Sequence, residues 1–279
     1  MTLVHDADPA RAPGSSAAFF DLDKTIIARS SSLAFSRPFY REGLLNRRAV
    51  LRSAYAQFVF QIGGADHDQM ERLRAAMQQM VTGWPVQQVR EVVEETLHEL
   101  IDPLVYEEAV ALIEEHHAAG RDVVIVSTSG VEVVRPIGAM LGADHVVATR
   151  MVVEDGRYTG EIEYYAYGET KADAVTALAA AQGYDLSASY AYSDSITDAP
   201  MLHIVGHPHA VNPDRALRRL AEEEEWPVLG FQTPVAIRRR LPRVSNLPPR
   251  QRYAAAGAVV AGAAAGVVWL AARRSRVAR

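Results

Sequence analysis

Two carboxylates, Asp21 and Asp23, close a short apolar run, Ala17-Ala18-Phe19-Phe20, and Thr25 follows two residues later. The run has the length and character of a strand. Side chains at i and i+2 of a strand share a face, and a chain that turns just after Asp21 can aim both acids into one pocket at the carboxyl end of a sheet. Open α/β folds bind their ligands there. A lone Asp-x-Asp is also how an ordinary polar turn reads, so the pair gains meaning only from the rest of the chain.

Three further stretches supply it. Val123–Val126 are β-branched residues suited to a strand buried on both faces. Ser127-Thr128-Ser129-Gly130 follows, and then a helical pattern over Val131–Leu141. Hydroxyls and free N–H groups at such a strand-to-helix junction form a natural phosphate cradle. Thr170 reads as a helix cap and puts Lys171 in the first turn of a helix to Gln182, where a cation opposes the helix dipole. A lysine needed to neutralise phosphate would occupy that unfavourable place. Ser189–Tyr192 reads as another core strand, delivering Asp194 and, four residues on, Asp198 to the same end of the sheet.

The elements around these residues suit one or two globular domains. The chain has 279 residues, 49% of them apolar and 23% charged, with a formal net charge of -5 that argues against a general nucleic-acid binder. Cysteine is absent, which excludes disulfides, thiolate catalysis and Cys-based zinc sites. The nine histidines lack zinc-site spacing, and no Gly-rich nucleotide loop is present. Residues 1–16 read as a disordered tail without the apolar core of a signal peptide, which places the catalytic part in the cytoplasm. From 31 to 120 the apolar residues recur at helical spacing with no convincing strand. So long a helical insertion after the first strand reads as a cap over the site. The core then comprises 17–30 and 121–232. Within it, a strand at His145–Ala148 precedes a hairpin turning at Glu154-Asp155-Gly156.

With Asp21, Asp23, Ser127, Lys171, Asp194 and Asp198 in this order, the chain resembles the haloacid dehalogenase-like superfamily, in its phosphoserine phosphatase-like subgroup. The resemblance implies an α/β fold with a Rossmann-like parallel sheet and an inserted all-helical cap. It implies a phosphomonoester hydrolase in which Asp21 attacks phosphorus and Asp23 protonates the leaving oxygen and later activates water. Ser127 and Lys171 would hold the transferring phosphoryl group, with Thr128 and Thr197 beside it. A hard cation such as Mg²⁺ needs oxygen ligands, and Asp21, Asp194 and the carbonyl of Asp23 suffice, with Asp198 supporting that shell.

Phosphoserine phosphatases carry a cap glutamate and a cap arginine for the substrate amine and carboxylate. Ser30 and Ala75 stand at those positions here, with Arg74 adjacent. A small-metabolite phosphate and a lipid-derived phosphate both remain open as substrates, phosphoserine is less favoured, and a catalytically idle, membrane-tethered binding module is the alternative from another class. Beyond the core, 233–252 is a basic, Pro-containing linker, and 253–272 is an uncharged stretch long enough to cross a bilayer as a hydrophobic helix. A basic tail, 273–279, closes the chain. Gly262 and Gly266 have the spacing that packs two such helices into a homodimer.

Overall fold

The computed structural model describes residues 15–45 and 78–232. Seven strands form one sheet: β1 (Ala17–Phe20), β2 (Asp122–Gly130), β3 (His145–Glu154), β4 (Arg157–Tyr164), β5 (Tyr190–Ser193), β6 (His207–Val211) and β7 (Val228–Leu229). Their order is β4-β3-β2-β1-β5-β6-β7. All neighbours run parallel except β4, which returns antiparallel along β3. The hairpin expected around Glu154-Asp155-Gly156 is therefore present, but its first strand is continuous with the one expected to end at Ala148. Asp155 and Gly156 make the turn with φ of 48° and 73°, the left-handed pair a two-residue hairpin turn needs.

β1 is the central strand, and its four residues are fully buried. Phe20 lies level with Ile125 of β2 on one side and Tyr192 of β5 on the other. The chain directions diverge from this point, with β2 and β5 on opposite flanks of β1, so a crevice opens at the carboxyl ends of the three strands. One face of the sheet, through Phe19, Val124, Val126 and Ala191, packs on Val175 and Leu178 of α6 (Glu169–Gln182), Met201 and Leu202 of α7 (Ala199–His203) and Leu217 of α8 (Arg215–Glu223). The expected helix over Val131–Leu141 is present as α5, ending at Gly142 in the left-handed conformation.

The described part of the span 31–120 is helical: α1 (Ser31–Ala34), α2 (Ser36–Arg41), α3 (Val86–Ile101) and α4 (Glu107–Ala118). α3 is amphipathic and lies against α5 and the two short helices. Within this span, α4 lies against the sheet. His116 is buried there, bonded through Nε2 to Tyr192 Oη at 2.9 Å and packed edge-on to Phe20. The two crossings into the inserted span are tied side by side. Tyr106 N–H donates to Ile26 O at 2.9 Å and Ala28 N–H to Leu104 O at 2.7 Å. The β3–β4 hairpin also reaches the inserted span, with Gly83 N–H on Tyr158 O, Tyr158 N–H on Trp84 O and Val86 N–H on Gly156 O.

The tail expected over 1–16 lies outside the described residues except for Ser15 and Ser16, and Ser15 is already bridged to Tyr184. The linker, the hydrophobic helix over 253–272 and the basic tail also lie outside them. Among the described residues, no helix is long and apolar enough to cross a membrane.

Gly206 shows how tightly the chain approaches itself before β6. Its N–H donates to Leu186 O at 2.8 Å, and a Cβ there would sit 1.7 Å from the Ser187 carbonyl oxygen. A backbone atom cannot rotate away, so Gly206→Ala should cost about 2 kcal/mol or more. Gly230→Ala, where nothing lies within 4 Å of the added carbon, should change stability by less than about 0.5 kcal/mol. Urea denaturation midpoints of the two variants measure the contrast.

Candidate active site

The sheet register explains why acids distant in sequence meet. Phe20, Ile125 and Tyr192 are level, so Asp21 lies one residue, and Ser127 and Asp194 two residues, beyond that level on three adjacent strands. Asp21 continues the β1 pairing through its N–H on Tyr192 O at 2.9 Å. The chain then turns. Lys24 takes a φ of 66°, its N–H donates to Ile27 O at 2.7 Å, and Ile26 and Ile27 N–H both reach Leu22 O. This closed loop places Asp23 over the same crevice and Thr25 beneath it, with Thr25 Oγ1 3.5 Å from Asp21 Oδ2.

Lys171 comes from the first turn of α6. Its ammonium lies 2.8 Å from Asp21 Oδ1 and 3.0 Å from Asp198 Oδ2. All three side chains are buried. The helix begins earlier than its sequence suggested. Gly168, with φ of 58°, occupies the cap position, and a side chain there would approach Thr197 O. Thr170 is not the cap: its hydroxyl bonds to the carbonyls of Tyr165 and Tyr167 and accepts the Tyr167 N–H, pinning the approach to the helix.

Asp198 is further held by Ser193, whose Oγ donates to Asp198 Oδ2 at 2.7 Å. Asp194 meets Lys24 Nζ at 4.0 Å, and its carbonyl accepts the Asp214 N–H at 2.8 Å. Asp214 also caps α8 through Ala216 and Leu217 N–H and accepts the Ile196 N–H, so it fixes the loop between Asp194 and Asp198. Ser127 is buried, and its Oγ accepts the Ser129 N–H at 3.2 Å. Thr128 and Thr197 border the crevice with their hydroxyls engaged. Thr128 Oγ1 donates to Ala166 O at 2.8 Å, and Thr197 Oγ1 pairs with Ser195 Oγ at 3.0 Å.

Asp23 is gripped from two sides. Ser31 N–H donates to its Oδ1 at 2.6 Å and Ser129 Oγ donates to its Oδ2 at 2.9 Å. The sequence gives Ser31 no site role and places Ser129 only within the expected phosphate cradle, not against Asp23. Ser193 and Asp214 were missed, since Ser and Asp are the commonest residues of turns.

The electrostatics follow from crowding acids in a buried space. Burial pushes Asp21 well above the usual carboxylate range, Lys171 opposes this, and Asp198, Asp194 and Asp23 add to it. Burial raises Asp23 against the donors from Ser31 and Ser129. Asp194 is pushed up to about 7, chiefly by burial, with Lys24 pulling down and Asp198 pushing up. Burial disfavours the Lys171 charge, but Asp198 and Asp21 outweigh it and hold the ammonium above its ordinary value. Among the described residues, no three His, Cys, Asp or Glu side chains are placed to hold a metal by themselves.

The site thus joins a central strand ending in an acid, a buried lysine opposite it and a second pair of acids in the loop after the neighbouring strand. Residues 18–203 match the family model of the haloacid dehalogenase-like hydrolases, and the chain belongs to that family. It is 67% identical over 260 residues, 92% of this chain and 94% of the relative, to the inhibition of morphological differentiation protein of Streptomyces azureus. A probable phosphatase of Mycobacterium tuberculosis is 56% identical over 270 residues, 95% of this chain and 91% of that protein. A phosphoserine phosphatase of the same organism is 33% identical over 253 residues, covering 90% and 80% of the two chains.

Lys171 is the only one of these site residues that carries a buried positive charge, so its removal leaves Asp21 and Asp198 uncompensated. Lys171→Met should destabilise the fold by about 3 kcal/mol at pH 8. The loss should shrink as pH falls toward 5, because Asp21, raised by burial, then takes up a proton and no longer needs the ammonium. Denaturation midpoints of wild type and variant across that pH range measure the difference.

Proposed function

We propose that the chain hydrolyses phosphomonoesters through an aspartyl-phosphate on Asp21. The observation that carries this reading is the division of labour between two acids only two residues apart. Asp21 is held by an ammonium, as a nucleophile needs. Asp23 is held by the neutral donors Ser31 N–H and Ser129 Oγ, which suit a carboxyl group that gives and takes a proton.

In the first step, a bond forms from an Asp21 oxygen to phosphorus and the bond from phosphorus to the leaving oxygen breaks. Asp23 gives its proton to that oxygen. In the second, Asp23, now a carboxylate, takes a proton from water as it attacks phosphorus, and Asp21 is released with inorganic phosphate. Lys171 and the Ser127 hydroxyl hold the equatorial phosphoryl oxygens. Asp198 positions Lys171, and the engaged hydroxyls of Thr128 and Thr197 shape the loops beside the phosphate.

The donor set fits a hard divalent cation such as Mg²⁺. Its members are all oxygens, and burial and mutual repulsion leave the carboxylates short of positive charge. Asp21, Asp194 and the carbonyl of Asp23 would hold the ion, while the side chains of Asp23 and Asp198 are committed to the serines and to Lys171. When bound, it supplies charge that lets an anionic nucleophile approach a phosphate.

A small metabolite and a lipid-derived phosphate are both compatible with this site, and the name of the phosphoserine phosphatase relative makes phosphoserine a necessary comparison. The reading of 253–272 as a membrane anchor rests on its apolar length and flanking arginines, and it favours a phosphate presented at a lipid surface.

Phosphate release from phosphoserine, sugar phosphates and lysophosphatidate should require Mg²⁺ and fall by about 10³-fold or more in Asp21→Asn. Activity that survives this substitution would overturn the aspartyl-phosphate. Mg²⁺ should also raise the melting temperature, and Asp194→Asn should remove that rise. Because a protonated Asp194 cannot bind the ion, the rise at a fixed, subsaturating Mg²⁺ concentration should be larger at pH 8 than at pH 6. Calorimetric scans at the two pH values test this.

A further inference from the structure

We infer that Ser129 is a positioning residue for the leaving-group acid: with the Ser31 N–H, its hydroxyl fixes the plane in which Asp23 presents its proton. The inference rests on the reading of Asp23 as that acid.

A carboxyl group on a single flexible bond can rotate unless both oxygens are held. Here each oxygen has its own donor, the Ser31 N–H at 2.6 Å on Oδ1 and Ser129 Oγ at 2.9 Å on Oδ2. The two donors are themselves joined, because Ser31 Oγ and Ser129 Oγ lie 2.9 Å apart. Asp23, Ser31 and Ser129 thus close a ring of hydrogen bonds, with Ser32 Oγ 3.3 Å from Ser129 Oγ at its outer edge. Ser31 and Ser129 are buried, so water does not readily substitute for either donor.

The ring also spans two parts of the fold. Ser31 is the first residue of α1, where the inserted span begins, and Ser129 lies in the last residues of β2, where the strand's register shifts between Ser127 and Gly130. The same stretch carries Ser127, whose Oγ accepts the Ser129 N–H at 3.2 Å. The hydroxyl proposed to hold the phosphoryl group and the hydroxyl that aims the acid are thus set by one local geometry. Proximity and orientation effects are steep, and a misplacement of about 1 Å can cost on the order of 10²-fold. General acid catalysis as a whole contributes roughly 10² to 10⁴-fold. Losing one of two orienting donors should remove part of that.

The leaving group separates this role from mere packing. An alkyl leaving oxygen needs a proton as its bond to phosphorus breaks, whereas the oxygen of p-nitrophenyl phosphate departs without one. The ratio of kcat/KM for an alkyl phosphate to that for p-nitrophenyl phosphate reports the acid in the first step. It is also independent of how much of a variant is folded, because both rates scale with active enzyme. In the Mg²⁺-loaded full chain, Ser129→Ala should lower this ratio by about 10-fold. Ser129→Thr, which keeps a hydroxyl, should hold it within about threefold of wild type. An unchanged ratio in Ser129→Ala, or an equal loss in the alanine and threonine variants, would overturn the inference. Asp23→Asn serves as the reference. If it lowers the ratio while Ser129→Ala does not, only the role of Ser129 falls. If Asp23→Asn leaves the ratio unchanged, the assignment of the acid falls with it.

Discussion

The ammonium of Lys171, buried between Asp21 and Asp198, is the interaction on which the site depends. Desolvating an amine is costly, and the cost is offset only because two acids face it at hydrogen-bond distance. The reverse also holds: without that charge, the end of β1 would be a buried cluster of repelling carboxylates. Much of the surrounding structure serves this arrangement. Gly168 starts α6 where Lys171 can turn inward, Ser193 steadies Asp198, and Asp214 locks the loop that carries both acids of the β5 side.

The two acids after β1 experience different surroundings despite their closeness. Asp21 stays in line with the strand and faces charge. Asp23, two residues on and just before the left-handed residue Lys24, faces serines. A nucleophile and a proton donor need opposite treatment, and the chain's departure from the sheet ladder after Asp21, into the loop closed by the Lys24 N–H on Ile27 O, gives the two acids different neighbours. The surplus of carboxylate over ammonium is the feature that matches a divalent cation to the same space.

Much of this was legible in the chain itself. Asp21, Asp23, Ser127, Asp194 and Asp198 lie at or just past the ends of strands whose apolar patterns are strong, and strand register brings such positions together, while Lys171 is placed by the start of a helix. The Val131–Leu141 helix and the Glu154-Asp155-Gly156 turn were equally plain, because Gly142 and Gly156 punctuate them. What escaped was anything decided by side-chain direction in turns. Thr170 looks like a cap, yet its hydroxyl turns back to Tyr165 and Tyr167, and Gly168 takes the cap instead. The periodicity of Glu107–Ala118 shows one apolar face but not its partner, which proved to be the sheet through His116 and Tyr192. Serines 31, 129 and 193 are unremarkable in composition, and their placement against Asp23 and Asp198 emerges only once distant segments meet.

The position of β1 in the sheet has a consequence for biosynthesis. The strand carrying Asp21 lies near the amino end, yet its partners are Asp122–Ile125 and Tyr190–Tyr192. As the chain leaves the ribosome, β1 waits for about a hundred residues before its first neighbour exists, and for about seventy more before its second. Such long-range pairing is entropically slow. A nascent chain that ends before residue 190 leaves one edge of this wholly apolar strand uncovered, so the segment that ends in Asp21 is also the one most in need of shelter until synthesis is nearly complete.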